Sequence, residues 1–167
     1  TYTARFQLLA AMNPCPCGYL GDPEQNCRCS PNQIQRYRSR LSGPFLDRID
    51  MHIQVQRVPA GQLLRPQENE ESTALVRKRV VACQNRQVRR QEGSNARLNS
   101  DALKKVCVLG QHETQYLEEA AQRLHLSGRG LHRTLKVART IADMSQSDPI
   151  LKAHLAEALA YRETTSP

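Results

Sequence analysis

Four cysteines crowd into one short stretch of this 167-residue chain: Cys15-Pro-Cys17, nine residues, then Cys27-Arg-Cys29. No other feature of the sequence constrains local folding as strongly. The segment between the pairs carries Gly18, Gly21, Asp22 and Pro23, so it reads as an irregular loop that turns sharply back on itself. Two close thiol pairs on such a loop are a donor set for a tetrahedral ion bound through thiolates at about 2.3 Å. Zinc is the leading reading. An iron–sulfur cluster, which also takes four thiolates, ranks behind it, and four reduced thiols in a loose loop are the alternative to both. No basic-then-apolar leader opens the chain, and clustered thiols without a secretory signal point to metal rather than disulfides. Four protein ligands close a site, so its role is expected to be structural. Cys83 and Cys107 stand alone in helical patterns and read as buried fillers.

Charge narrows the partners. Lysine and arginine number 24 against 16 acids, a net charge of +8, with mean hydropathy −0.62. Either a polyanion such as nucleic acid or nucleotide is bound, or the surface is basic for solubility alone. Aromatic residues make up 4% with no tryptophan, which argues against binding single strands by base stacking. No apolar run approaches the roughly 18 residues that a membrane span needs, so no membrane partner and a cytoplasmic location are expected.

The chain changes character along its length. Phe6 and Leu8–Met12 form an apolar run without alternation, read as a strand covered on both faces and stopped at Asn13-Pro14. Ser30-Pro31, with Gln33 in the capping-box position, predicts a helix to about Leu41. Met51, Ile53 and Val55 alternate with His52, Gln54 and Gln56, the pattern of a second strand. Two separated strands and one helix cannot cover both faces of a sheet. The first part is therefore expected to be the end of a larger α/β fold, completed upstream or by another molecule. A composition shift marks 60–72 as a linker between a first part, 1–59, and a helical domain, 73–167. Within the latter, apolar stripes predict helices through Leu75–Val88, Ala102–Cys107, Tyr116–Leu124 and Leu131–Ala142, and a last one opening at Asp148-Pro149.

Three side chains stand out chemically. Asn13 closes the first apolar run, at the strand edge where open sheets bind ligands; its amide suits a water or a phosphate oxygen, although Asn-Pro is also an ordinary turn signal. Arg48, in Leu46-Asp-Arg-Ile-Asp50, is either a salt-bridged surface arginine or a planar cation aimed at a phosphate on a neighbouring subunit. Arg129, Arg133 and Lys136 share a helix face after Ser127. Arg129 falls in the first turn, where backbone N–H groups already favour an anion, so a cation there is unfavourable unless something negative is bound. Arg77–Arg79 and Arg86–Arg90 are further basic stretches, each either a solvated face or a nucleic-acid patch.

Three blocks taken in order resemble a known family: Ala10-Ala-Met-Asn-Pro-Cys-Pro-Cys-Gly18, Arg40-Leu-Ser-Gly-Pro-Phe-Leu-Asp-Arg-Ile-Asp50, and Leu126-Ser-Gly-Arg-Gly-Leu-His-Arg-Thr-Leu-Lys-Val-Ala-Arg-Thr-Ile-Ala-Asp143. They are similar to the magnesium chelatase-related AAA+ ATPases of the ComM/YifB type in bacteria, over the C-terminal part of such a protein. The resemblance implies the end of an AAA+ αβα core followed by an all-α lid bundle. It implies that Asn13 is sensor 1, positioning the attacking water, that Arg48 is an arginine finger acting in trans, and that Arg129 is the sensor 2 arginine. The cysteine array, Cys15, Cys17, Cys27 and Cys29, matches the family's cysteine-rich insertion. ATP with Mg²⁺ is the implied cofactor of the intact protein, a hexameric ring the implied assembly, and branched DNA in natural transformation the implied substrate. No Walker A motif occurs here, so the chain alone is expected to be inactive. Gly128 stands where the family pattern has alanine. The alternatives are a zinc-stabilised basic DNA-binding module without motor role, and a magnesium chelatase subunit.

Overall fold

Ser30 opens α1 (Pro31–Arg38) as the sequence predicts: its hydroxyl accepts from the Gln33 N–H at 3.3 Å and the Gln33 side chain accepts from the Ser30 N–H at 2.8 Å. Proline at the first helical position loses no bond there. Turns carry the chain on to Leu41. In this computed structural model residues 6–58, 61 and 71–162 are described. They fall into two units, one ending at Ser42 and the other starting at Gly43. Most of the linker expected over 60–72 lies outside the described residues.

The first unit consists of α1 and the cysteine loop. The expected strand over residues 6–12 is not formed, and its side chains are exposed, Leu9 at 93%. In the second unit, 51–56 likewise carries its alternation without a ladder, and Val55 is 86% exposed. Among the described residues there is no strand. The physical reason is that a strand is stabilised by its neighbours, through paired backbone groups and cross-strand side chains, and these runs have none to pair with.

The second unit is helical: α2 (Gly43–Leu46), α3 (Thr73–Gln91), a 3₁₀ turn (Asn95–Arg97), α4 (Ser100–Val106), α5 (Gln111–Arg123), α6 (Gly128–Met144) and α7 (Lys152–Ala160). The central helix is α6, which packs against α7, α3, α4 and the 3₁₀ turn. Ala138 and Ala142 on α6 are fully buried, and their small side chains let α7 approach, with Leu155 and Leu159 filling the seam. Leu103, Leu117 and Ile150 complete this core. Cys83 and Cys107 are buried, and burial pushes the Cys107 thiol up to about 11.

Two expectations are corrected. Along α3 the predicted apolar stripe is mostly exposed: Leu75, Val76, Val80 and Val88 face outward, and only Cys83 and Gln87 are buried. The last helix begins at Lys152, not at Pro149. Arg139 donates to the carbonyls of Ser147 (2.6 Å) and Asp148 (2.5 Å), which holds that segment open, while Ile150 plugs the core.

What fastens α3 to α6 is polar. Asp143 on α6, 2% exposed, receives both Arg90 Nη1 (2.5 Å) and Nη2 (2.9 Å) from α3, Asn95 Nδ2 (2.9 Å) from the 3₁₀ turn, and Arg139 at 3.1 Å. Asn95 is bound further by Thr140 Oγ1 and by the Gln87 side chain, which accepts from its N–H. Burial alone would raise the Asp143 carboxyl. The hydrogen bonds from Arg90 and Asn95 and the charges of Arg139 and Arg90 outweigh it, and the net shift is downward from 3.8. A lowered value in the folded state means that this group contributes fully above the ordinary carboxylate range and loses its contribution as pH falls through the lowered value. Asp143→Ala strands the buried Arg139 and removes the carboxylate that binds Arg90, and is expected to cost about 3–5 kcal/mol in urea unfolding. Asp143→Asn should also remove part of the stability loss that the wild-type chain shows below about pH 4.

Candidate functional site

The cysteine loop closes on itself. Gly18 and Gly21 both take φ +84°, a left-handed conformation that costs glycine nothing, and these turns bring the second thiol pair back to the first. Cys15 Sγ stands 3.4 Å from Cys17 Sγ and 3.6 Å from Cys27 Sγ, with Cys17 to Cys27 also 3.6 Å. All four sulfurs, Cys29 included, lie within 4.8 Å of one another. Ligands placed tetrahedrally at about 2.3 Å from an ion are about 3.8 Å apart, so the donor set has the dimensions of a thiolate metal site. The sulfurs are too distant for a bond of about 2.05 Å, and all four cysteines are free. These four residues could hold a metal ion.

Electrostatics in the loop point the same way. The backbone N–H groups of Tyr19 and Arg28 hold the Cys17 thiol down at about 6, stabilising a thiolate. Burial, reinforced by the neighbouring thiols, pushes Cys29 up to about 12. Four sulfurs packed this closely repel one another when ionised, so all four become thiolates together only around a cation.

Asn13 belongs to the same unit. It is exposed and borders a shallow concavity with Ala11, Met12 and Tyr37.

Arg48 and Arg129 belong to the second unit. After α2 the chain makes tight turns, with Asp47 N–H to Gly43 O at 2.9 Å and Arg48 N–H to Phe45 O at 2.9 Å. Arg48 is exposed, and its Nη1 donates to Pro44 O at 2.6 Å without any carboxylate partner among the described residues. The flanking acids are engaged elsewhere. Asp47 Oδ2 accepts from Ser127 Oγ at 2.9 Å, and Asp50 pairs with Arg133. Ser127 caps α6, its hydroxyl accepting from the Gly130 N–H at 2.9 Å. An added Cβ at Gly130 would stand 3.2 Å from Asp47 Oδ1, so glycine is what lets the carboxylate sit against the helix start. Arg129, in that first turn, is exposed and makes no hydrogen bond or ion pair among the described residues.

The basic face after Ser127 is thereby resolved. Arg133 is taken by Asp50, Lys136 donates to Ala96 O at 3.1 Å, and Arg129 alone of the three has no hydrogen-bond or ion-pair partner among the described residues. Within the stretch Arg86–Arg90, Arg86 binds Asp148 and Arg90 binds Asp143, so those two cations build the bundle instead of a nucleic-acid surface. Sequence reasoning missed the Asp47–Ser127 contact altogether. Its partners are 80 positions apart, and the one local signal was an Asp beside Arg48 and a Ser already assigned as a cap.

Comparison with known proteins agrees with the resemblance seen in the three sequence blocks. The family described as "Magnesium chelatase, subunit ChlI" matches residues 1–63, and "Magnesium chelatase, subunit ChlI C-terminal" matches residues 70–162. "Uncharacterized protein YifB" of Salmonella typhimurium is 49% identical over 97% of this chain and 32% of its own length. Its Escherichia coli namesake is 48% identical over 97% and 32%. "Competence protein ComM" of Haemophilus influenzae is 46% identical over 96% and 31%. The chain thus spans about a third of the length of the curated relatives it matches. With the two family matches falling in chain order and the C-terminal one covering more than half of the chain, the protein belongs to the magnesium chelatase ChlI family.

Proposed function

We propose that the chain is the C-terminal part of an AAA+ ATPase, contributing sensors and a trans-acting arginine to hydrolysis while the phosphate-binding loop is supplied by other residues of the intact protein. The observation that carries this reading is the state of Arg129. A guanidinium left unpaired in the first turn of a helix sits at the positive end of the helix dipole, which favours it only when an anion is present. Its neighbours on the same face are all engaged. ATP with Mg²⁺, when bound, supplies the phosphoryl group and its charge. Arg129 then acts as sensor 2, contributing a fixed charge to the γ-phosphate from the lid. Arg48, exposed and without a carboxylate partner among the described residues, acts as the finger that reaches a nucleotide held by the next protomer of a ring, a hexamer by family analogy. Asn13 acts as sensor 1, orienting water with its amide.

The exposed apolar runs over 6–12 and 51–56 support the reading of these segments as strands of an αβα core, with the helices from 73 onward forming the lid. Zinc is the ion we assign to Cys15, Cys17, Cys27 and Cys29, in a closed, structural site. The net charge of +8, together with the word competence in one relative's name, supports DNA as the substrate, remodelled or branch-migrated during natural transformation in the bacterial cytoplasm.

In the complete protein, Arg48→Ala is expected to lower ATP turnover by about 10³-fold or more while nucleotide affinity stays within about threefold. Loss of affinity instead would argue against action in trans, and steady-state ATPase assays alongside fluorescent-nucleotide titration read both. The isolated chain should neither bind ATP tightly nor hydrolyse it; tight, salt-sensitive duplex binding by it alone would favour a DNA-binding module without motor role. Elemental analysis of the purified chain should find about one zinc per molecule. After chelation at pH 7, iodoacetamide should modify Cys17 before Cys29, because the former is largely thiolate and the latter protonated. Reloading with zinc should protect all four, as peptide mass spectrometry would show.

A further inference from the structure

Arg48 and Arg129 are 81 positions apart in sequence, yet the segments that carry them are tied together at one point. The residue beside Arg48, Asp47, accepts the hydroxyl of the residue two before Arg129, Ser127, at 2.9 Å. That hydroxyl is shared: it also receives the Gly130 N–H at 2.9 Å and so closes the first turn of α6. Gly130 leaves room for the carboxylate, since a methyl group there would meet Asp47 Oδ1 at 3.2 Å. A second tie, Asp50 to Arg133, lies one helical turn further along α6, and a third joins the His52 N–H to Tyr161 O at 2.9 Å beyond the end of α7. Nothing in this arrangement is needed to cap the helix, because the serine does that alone. The tie engages Oδ2 of the carboxylate next to Arg48 in the chain.

We propose that Asp47 is a positioning residue. Its hydrogen bond with Ser127 holds the Arg48 segment and the Arg129 turn as one rigid piece, so that displacement of the lid helix is passed to the arginine facing the adjacent protomer. This rests on the reading of Arg48 and Arg129 as nucleotide-facing arginines. In it, Asp47 touches no nucleotide. It removes slack between two groups whose placement within about an ångström sets the rate.

The complete protein is the material for the test, with ATP as probe. Asp47→Ala should lower kcat about tenfold or more with KM for ATP within about twofold of wild type, and Asp47→Asn, whose amide oxygen still accepts the hydroxyl, should restore most of it. Ser127→Gly deletes the hydroxyl but leaves a residue that caps nearly as well. It should show the same kcat loss at almost unchanged Tm, a combination that a purely structural role does not produce. The double variant should be no slower than the worse single one. The proposal is overturned if the two losses multiply, if Asp47→Asn is as slow as Asp47→Ala, or if kcat stays at the wild-type value in Ser127→Gly. Arg48→Ala is assayed beside them: if it retains wild-type turnover, the nucleotide reading itself fails and the proposal falls with it, whereas a dead Arg48→Ala with fully active Ser127→Gly removes this proposal alone.

Discussion

The helical unit depends on one buried carboxylate. Asp143 sits at the junction of α3, α6 and the 3₁₀ turn and is the acceptor on which Arg90, Arg139 and Asn95 converge. A lone buried carboxylate in such a place would be costly, and so would the buried Arg139 without it. Together, with every donor aimed, they form a lock whose geometry is far more selective than apolar contact. This matters because the apolar contacts of α3 are few: its buried residues are Cys83 and Gln87. Without the Asp143 cluster, α3 would have little to fix its rotation or its register against α6.

The same economy appears at the other end of α6. Ser127 satisfies a backbone donor of the helix start and at the same time binds Asp47, so one hydroxyl sets both where the helix begins and where the preceding segment docks. Asp50 with Arg133 extends the docking along the helix face. The consequence is electrostatic selection among the basic residues. Arg90, Arg133 and Arg139 are held by carboxylates, whereas among the described residues Arg48 bonds only the Pro44 carbonyl and Arg129 has no partner, and both are exposed.

In the first unit the argument is different because there is little core. Cys15 is the one fully buried apolar residue among its described residues, and α1 contains no buried residue at all. Local closure replaces packing: two left-handed glycines turn the chain, and four sulfurs meet. The four sulfurs lie close enough together to hold a metal ion, which would cross-link a segment otherwise poor in apolar contacts.

Local chemistry made several features legible in the sequence. The box at Ser30 and Gln33, the cap at Ser127, the cysteine array and the stripes of α5 and α6 each depend on neighbours a few positions away, so spacing alone carries them. The apolar runs at 6–12 and 51–56 were equally plain as patterns. A pattern, however, does not make a strand, because the stabilising groups belong to whatever lies alongside. The start of α7 was misjudged for a related reason: Asp148-Pro149 is a good cap locally, but Arg139 claims the carbonyls around it. Which arginines are spent on structure and which are left exposed could be decided only in three dimensions. Asp47 meets Ser127, and Arg90 meets Asp143, across 80 and 53 positions respectively. Residue order fixes the charge of a side chain, whereas its freedom to act depends on whether folding brings an opposite charge within reach.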